Sequence, residues 1–441
     1  MTEKPQSAPT DDALAPRLAA YNVVQAVLQR RRALEDAMAG EPTFTQLSGT
    51  ARGFAGFLIR TTLRRLGQID ALIDHCLNEP LPPNGRAVRD VLRVGIAQLL
   101  FSQTADHAAV DTSVDLCRVI GFKHQAKMVN AVLRRLQREG ADLIAAQDVA
   151  RINTPAWLWE SWCAAYGEPT TRAIAMQHLD VPPVDLSPKA NDADAWASRL
   201  EGQTILAGSI RLAGLSDVTA LDGFDEGAWW VQDAAARLPA KLLGDVKGQT
   251  VLDLCAAPGG KTLELAAAGA RVTALDISAK RLNRVRDNLT RTGLSAELIA
   301  ADARKWRPEA LADAVLLDAP CSSTGTLRRH PDIQHLKSAA DIIKLAHVQD
   351  GLLDAAVDML RPGGLLVFAT CSLQPEEGLE RINAFLARHT NFARVPIQAE
   401  EIGGLADAVT PAGDLRTLPS QLADKGGLDG FFAARLIKNA S

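Results

Sequence analysis

From Gly244 onward, short apolar stretches alternate with amphipathic ones: TVLDL then KTLELAAAG, RVTALD then AKRLNRVRDNLTRTG, ELIAAD, AVLLDAP, a long helical stretch to Leu360, LLVFATCS and FFAARLI. Strands separated by helices specify an α/β fold with a parallel, doubly wound sheet, because each parallel crossover needs a connecting helix packed on the sheet. Such a sheet takes its ligands outside the carboxyl ends of its strands. Chemistry-bearing residues are therefore expected at those ends.

The residues before Gly244 need a different solution, since 441 residues exceed what one hydrophobic core holds. From Arg17 to about Gly140, apolar residues recur at spacings of three and four, which predicts helices throughout. In VRDVLRVGIAQLLF, Val88, Val91, Leu92, Ile96, Leu99 and Leu100 share one broad face. In AKMVNAVLRRLQR, Val129, Val132, Leu133 and Leu136 are set to be buried, with Lys127, Arg134 and Arg138 opposite. The net charge of -4 hides a division: residues 15–140 hold 17 Lys and Arg against 11 Asp and Glu, so attraction for phosphate concentrates there. The expected organisation is a polar, proline-bearing disordered tail over 1–14, an all-helical domain over 15–140, a small α+β connecting domain over 141–240 and the sheet domain over 241–441. Trp157, Trp159, Trp162 and Tyr166 cluster at the start of the connecting domain, where packing is favoured over stacking on bases.

Val251 to Thr262 reads VLDLCAAPGGKT, a strand entering a small-residue loop and then a helix. Small residues let a ligand approach the backbone, and the helix start offers unpaired N–H groups. The phosphate-binding patterns are broken, because Cys255 stands where a P-loop needs glycine and G-x-G-x-x-G is absent. Two acids follow at strand ends: Asp276 is placed for both ribose hydroxyls and Asp302 for an adenine amino group. An adenosine ligand without phosphates, S-adenosylmethionine, fits this set. The expected cofactor residues are Cys255, Ala256, Ala257, Pro258, Gly259, Gly260, Lys261, Asp276, Asp302 and Asp318.

Six cysteines are scattered without a C-x-x-C pair, which argues against a zinc site or a disulfide scaffold and fits a reducing cytoplasm. No metal is expected. Nor is a membrane partner, since no apolar run approaches the ~18 residues of a membrane span. Free cysteine is ordinarily a small buried hydrophobe. Cys321 in DAPCSSTG and Cys371 in ATCSLQPEEG, however, each follow a strand beside the cofactor loop. Carbon 5 of cytosine is a poor nucleophile, and a thiolate adding at carbon 6 turns the ring into an enamine that can take a methyl group. Asp318 is placed to hydrogen-bond ring nitrogen 3, and a second thiol or a water can remove the carbon-5 proton.

DLCAAPGGKT, DAPCSSTG and TCSLQPEE, in this order, resemble the cofactor loop, Pro-Cys motif and Thr-Cys motif of the RNA 5-methylcytosine methyltransferases. LRRLGQID, LRVGIAQLLF, HAAVDTSVDLCR and MVNAVLRRL resemble the NusB-type RNA-binding domain that the RsmB (Sun/Fmu) branch carries ahead of its catalytic domain. The resemblance implies a Rossmann-like S-adenosylmethionine methyltransferase, monomeric, with 16S ribosomal RNA of the small subunit as its partner. It implies Cys371 as the attacking thiol and Cys321 as the residue that helps release product, which with Asp318 make the expected catalytic set. Arg328 and Arg329 are expected to steady RNA phosphates. One departure concerns VDLSPKAN (Val184 to Asn191), which stands where the family has an L-R-V-N-like strand, leaving open whether Lys189 replaces the arginine. Gly378 also stands where the family has Asn. Two rival readings are the same reaction on transfer RNA or another ribosomal site, and a non-catalytic RNA-binding assembly factor.

Overall fold

The computed structural model describes residues 11–82, 85–214 and 217–440. The chain divides into two compact units. The first lies within Met1–Glu160 and takes in Thr171–Leu179 and His330–Lys337; the second holds Ser161–Thr170, Asp180–Arg329 and Ser338–Ser441.

The first unit is built on helices α1 (Asp11–Leu28), α2 (Gly49–Arg64), α3 (Leu66–Cys76), α4 (Arg86–Phe101), α5 (Asp106–Val119) and α6 (Ala126–Ala145). Helix α1 begins at Asp11, inside the stretch read as a tail, and residues 1–10 lie outside the described residues. The expected face of α4 is buried, with Leu100 half-buried, but Asp90, Val94, Ala97 and Gln98 on its other sides are buried too. Its neighbours explain this, since α1, α2, α3, α5 and α6 all pack against it. Gly95 permits the approach of α5, because a Cβ there would stand 2.6 Å from Ser113 Oγ. Buried Asp90 is matched by Arg93 at 2.8 Å, and Arg93 also reaches Asp70 at 2.7 Å. Helix α6 buries the four residues read as its apolar face, while Lys127 and Arg138 are exposed and Arg134 lies 3.9 Å from Asp111.

The segment His330–Lys337 belongs to this helical unit. Asp332 accepts the Leu34 amide at 2.9 Å, the half-buried His335 ring lies 2.8 Å from the Leu63 carbonyl, and Arg31 donates to the Leu336 carbonyl at 2.7 Å. Trp159 sits between the guanidinium groups of Arg151 and Arg172, 5.4 and 5.2 Å from the ring centroid.

In the second unit, β1 (Val184–Pro188), β2 (Gln203–Ile205), β3 (Ser209–Leu212) and β4 (Trp229–Val231) form an antiparallel sheet in the order β2-β3-β1-β4. Asp185 and Arg211 face each other across β1 and β3 and pair at 2.7 Å in the interior. Lys189 donates to the Thr292 carbonyl at 3.0 Å, so its ammonium closes a helix end. Trp162 is fully buried and donates to Gln374 Oε1 at 2.9 Å, and the Tyr166 hydroxyl donates to the Leu373 carbonyl. These aromatics pack, as the sequence favoured.

The main sheet contains β5 (Thr250–Leu254), β6 (Arg271–Asp276), β7 (Glu297–Ala300), β8 (Ala312–Asp318), β9 (Leu360–Thr370), β10 (Phe392–Arg394), β11 (Leu415–Arg416) and β12 (Phe432–Lys438). Among the described residues its order is β10-β12-β9-β8-β5-β6-β7, with β11 beside β12. Strands β5 to β9 are parallel as expected, whereas β12 runs antiparallel to β9. Helices α7 (Ala234–Lys241), α8 (Gly260–Ala267), α9 (Ala279–Thr292), α10 (Ala339–Val357) and α11 (Leu379–Arg388) complete the unit, and two apolar clusters, centred on Val251, Leu316 and Val367 and on Leu254, Leu317 and Phe368, form its core. Among the described residues no helix is long and apolar enough to cross a membrane.

Candidate active site

Strand β5 is flanked by β6 on one side and β8 on the other. The chain runs outward from β5 through β6 to β7 and then crosses to β8 on the other side of β5, so the strand order reverses at β5 and a crevice opens at the strand ends there.

On the β6 side lies a cleft lined among others by Cys255, Asp276, Ile277, Asp302, Arg304 and Pro320. Ala256, Ala257, Pro258 and Gly259 make the turn from β5 into α8, which opens at Gly260. Gly259 takes a φ of 108°, a backbone conformation open to glycine, and its missing Cβ would lie 3.0 Å from Val285. Asp276 accepts the Ala257 amide at 3.2 Å and the Ser278 amide at 2.9 Å, so the acid that ends β6 braces the loop. Asp302 is gripped by Arg304 at 3.0 and 2.8 Å, and these hydrogen bonds hold its carboxyl below the usual range. Ile277 beside it is 71% exposed. Two carboxylates at adjacent strand ends and an exposed apolar side chain suit a nucleoside, with hydroxyl and amino groups to bond and a flat face to cover. Burial first, then the nearby acids, push the Cys255 thiol up to about 12, which leaves it an inert wall of the cleft.

On the β8 side stand Asp318, Cys321 and Cys371. The two sulfur atoms are 3.4 Å apart. The bond to Cys371 and burial raise the Cys321 thiol well above the ordinary cysteine range, so it keeps its proton at neutral pH. Lys261, read from the sequence as a cofactor residue, turns its ammonium to Asp318 at 2.7 Å and lies 5.0 Å from the centre of the Phe431 ring. Burial alone would lower its pKa, but Asp318, then Cys371 and Asp253, outweigh it and keep the lysine charged. Asp253, one strand residue before Leu254, accepts from Thr262 Oγ1 at 2.6 Å. Burial pushes its carboxyl up to about 7.

The two arginines after Cys321 do not face RNA as expected. Arg328 is 1% exposed and lies 3.0 Å from both Asp233 and Asp429, and Arg329 pairs with the same acids at 2.6 and 3.2 Å. The charges of Arg329 and Arg328 overcome burial and hold Asp233 at about 2. This four-charge knot ties the loop after Cys321 to the start of α7. Glu377 and Gln349, which the sequence reading passed over, also reach the cysteine loops; the only signal for Glu377 was its place in the Thr-Cys motif.

The model of the 16S rRNA methyltransferase RsmB/F family matches residues 240–437, and that of the NusB family matches residues 14–138. Ribosomal RNA small subunit methyltransferase B of Pseudomonas putida is 39% identical over 97% of this chain and 99% of its own length. Its counterpart in Cronobacter sakazakii is 35% identical over 96% and 98%. Among solved structures, PH0851 superposes with a TM-score of 0.74 over 99% of this chain and 100% of its own, at 23% identity. A methyltransferase homologue from Pyrococcus horikoshii gives 0.53 over 69% and 98%, at 24% identity. These structural likenesses speak for the fold, and the curated relatives span nearly every residue. The chain belongs to the 16S rRNA methyltransferase RsmB/F family.

Proposed function

We propose that the chain transfers a methyl group to carbon 5 of a cytosine in 16S ribosomal RNA through a covalent bond to Cys371. The observation that carries this reading is the pair of sulfur atoms 3.4 Å apart beside the Lys261–Asp318 ion pair, at the strand ends next to the cleft that Asp276 and Asp302 line. S-adenosylmethionine held there by Asp276, Asp302 and the Cys255–Gly260 loop supplies the methyl group as an electrophilic sulfonium carbon.

The target base must leave its helix, because a stacked cytosine cannot offer carbon 6 to a thiolate and carbon 5 to a methyl donor together. Cys371, as thiolate, bonds to carbon 6 while the ring electrons move to nitrogen 3. A proton passes there from the Lys261 ammonium through the Asp318 carboxylate. Carbon 5, now an enamine carbon, takes the methyl group, and nitrogen 3 returns its proton through Asp318 to Lys261. Cys321 then gives its proton to the departing Cys371 sulfur and accepts the carbon-5 proton, which restores the double bond. One proton leaves to solvent as Cys371 returns to thiolate.

The basic helical unit supplies the RNA grip in this scheme, and the site of action is the cytoplasm. The test is transfer of labelled methyl from S-adenosylmethionine to unmodified 16S transcript, followed by mapping of 5-methylcytosine. Label on another base, or on transfer RNA in preference to 16S transcript, contradicts the proposal.

A further inference from the structure

We infer that Glu377 is the positioning residue that holds the two thiols face to face, an inference that rests on the covalent reading above. Its carboxylate is fully buried and points at the cysteine loops. One oxygen accepts the Ser322 amide at 2.9 Å, the other accepts the Ser322 hydroxyl, and Gln349 Nε2 donates to the first at 3.2 Å. Gln349 Nε2 also donates to the Pro320 carbonyl at 3.0 Å. Cys321 is thus bracketed: the residue before it is held by Gln349 and the residue after it by Glu377.

Cys371 is bracketed from the same centre. Thr370 Oγ1 donates to the Glu377 carbonyl at 3.0 Å, and the Ser372 hydroxyl lies 3.0 Å from that of Ser322. The Gly325 amide closes the clasp on the Cys371 carbonyl at 2.9 Å. One side chain and its own backbone therefore set the residues flanking both sulfurs. The two loops come from different strands, β8 and β9, and chain connectivity alone does not bring their tips into register. A buried carboxylate with several donors aimed at it is a rigid hub, because each donor would be left unsatisfied if it moved away.

Glutamine keeps the length of this hub and aspartate keeps its charge. Glu377→Gln retains an oxygen for the Ser322 amide and an amide group that can bond the Ser322 hydroxyl. Glu377→Asp withdraws the carboxylate by one methylene. A positioning role predicts that Glu377→Gln stays within about threefold of the unaltered chain in kcat, while Glu377→Asp falls about 10²-fold, with KM for S-adenosylmethionine little changed in both. A second readout needs no RNA. Diamide oxidises two adjacent thiols to a disulfide and is itself reduced to the hydrazine. The rate of Cys321–Cys371 pairing should be near that of the unaltered chain in Glu377→Gln and at least about tenfold slower in Glu377→Asp.

Asp tolerated better than Gln in thiol pairing would assign the role to charge and overturn the inference, as would equal pairing rates in all three chains. Failure of the covalent reading is recognised separately, by methylation of RNA that survives replacement of Cys371 in a chain with Glu377 intact.

Discussion

Lys261 carries two meanings, and its surroundings choose between them. Within Gly-Gly-Lys-Thr it stands in the first turn of α8, where a lysine commonly serves a bound anion. Here the side chain is only 9% exposed and its ammonium lies 2.7 Å from Asp318, on the side of the sheet where the thiols are. Removing it should therefore damage chemistry more than cofactor binding. Lys261→Met is expected to lower kcat by about 10² to 10⁴ while S-adenosylmethionine affinity, measured by calorimetry, stays within a few-fold. A loss confined to affinity would return the residue to the cofactor loop. The residue types at this site were legible in the sequence because their chemistry is local: two cysteines and an acid, each at the end of an apolar strand. The direction Lys261 takes was not, since it depends on β8 lying beside β5, a long-range pairing that no local pattern encodes.

At the scale of elements, the strand ends do the positioning, and buried polar groups tie strands to their neighbouring helices. Asp253 on β5 and Thr262 on α8 make one such tie, at a cost that depends on pH. The Asp253 carboxyl titrates at about 7 instead of 3.8, because burial disfavours its charge. Below the lower value it is neutral in both the folded and unfolded chain, so it costs nothing. Between the two values the unfolded chain ionises and the folded one does not, and stability falls as pH rises. Asp253→Asn keeps the acceptor for Thr262 and removes the titration. Its melting temperature minus that of the unaltered chain should grow from about pH 4 to about pH 7 and then level off; a constant difference would refute the assignment. Arg328 and Arg329 teach the opposite lesson about legibility. Two adjacent arginines after the Cys321 loop look like phosphate ligands, but Asp233 and Asp429, distant in sequence, meet them in the interior. Adjacent charges can be read from a sequence. Their partners cannot.

Across the whole molecule, the division of charge remains the feature that links fold to substrate. Many arginines of the helical unit are consumed internally: Arg89 and Arg93 by Asp70, Asp74 and Asp90, and Arg135 by Glu139. Lys127 and Arg138 on α6 stay exposed. Charge reversal at both, Lys127→Glu with Arg138→Glu, should weaken 16S RNA binding and reduce the slope of log affinity against log salt by about 1 to 2. An unchanged slope in a titration from low to high salt would place the RNA surface elsewhere. Reversal is the cleaner experiment than truncation at residue 140, because His330–Lys337 packs within the helical unit and would lose its support.

The central claim is that Cys371 bonds to the base and Cys321 frees it. Incubating the Cys321→Ala chain with S-adenosylmethionine and 16S transcript, then resolving the products under denaturing conditions, tests it directly. A stable protein–RNA adduct is expected with Cys321→Ala and none with Cys371→Ala or with both replaced. An adduct formed by Cys371→Ala, or methyl transfer surviving its loss, would contradict it.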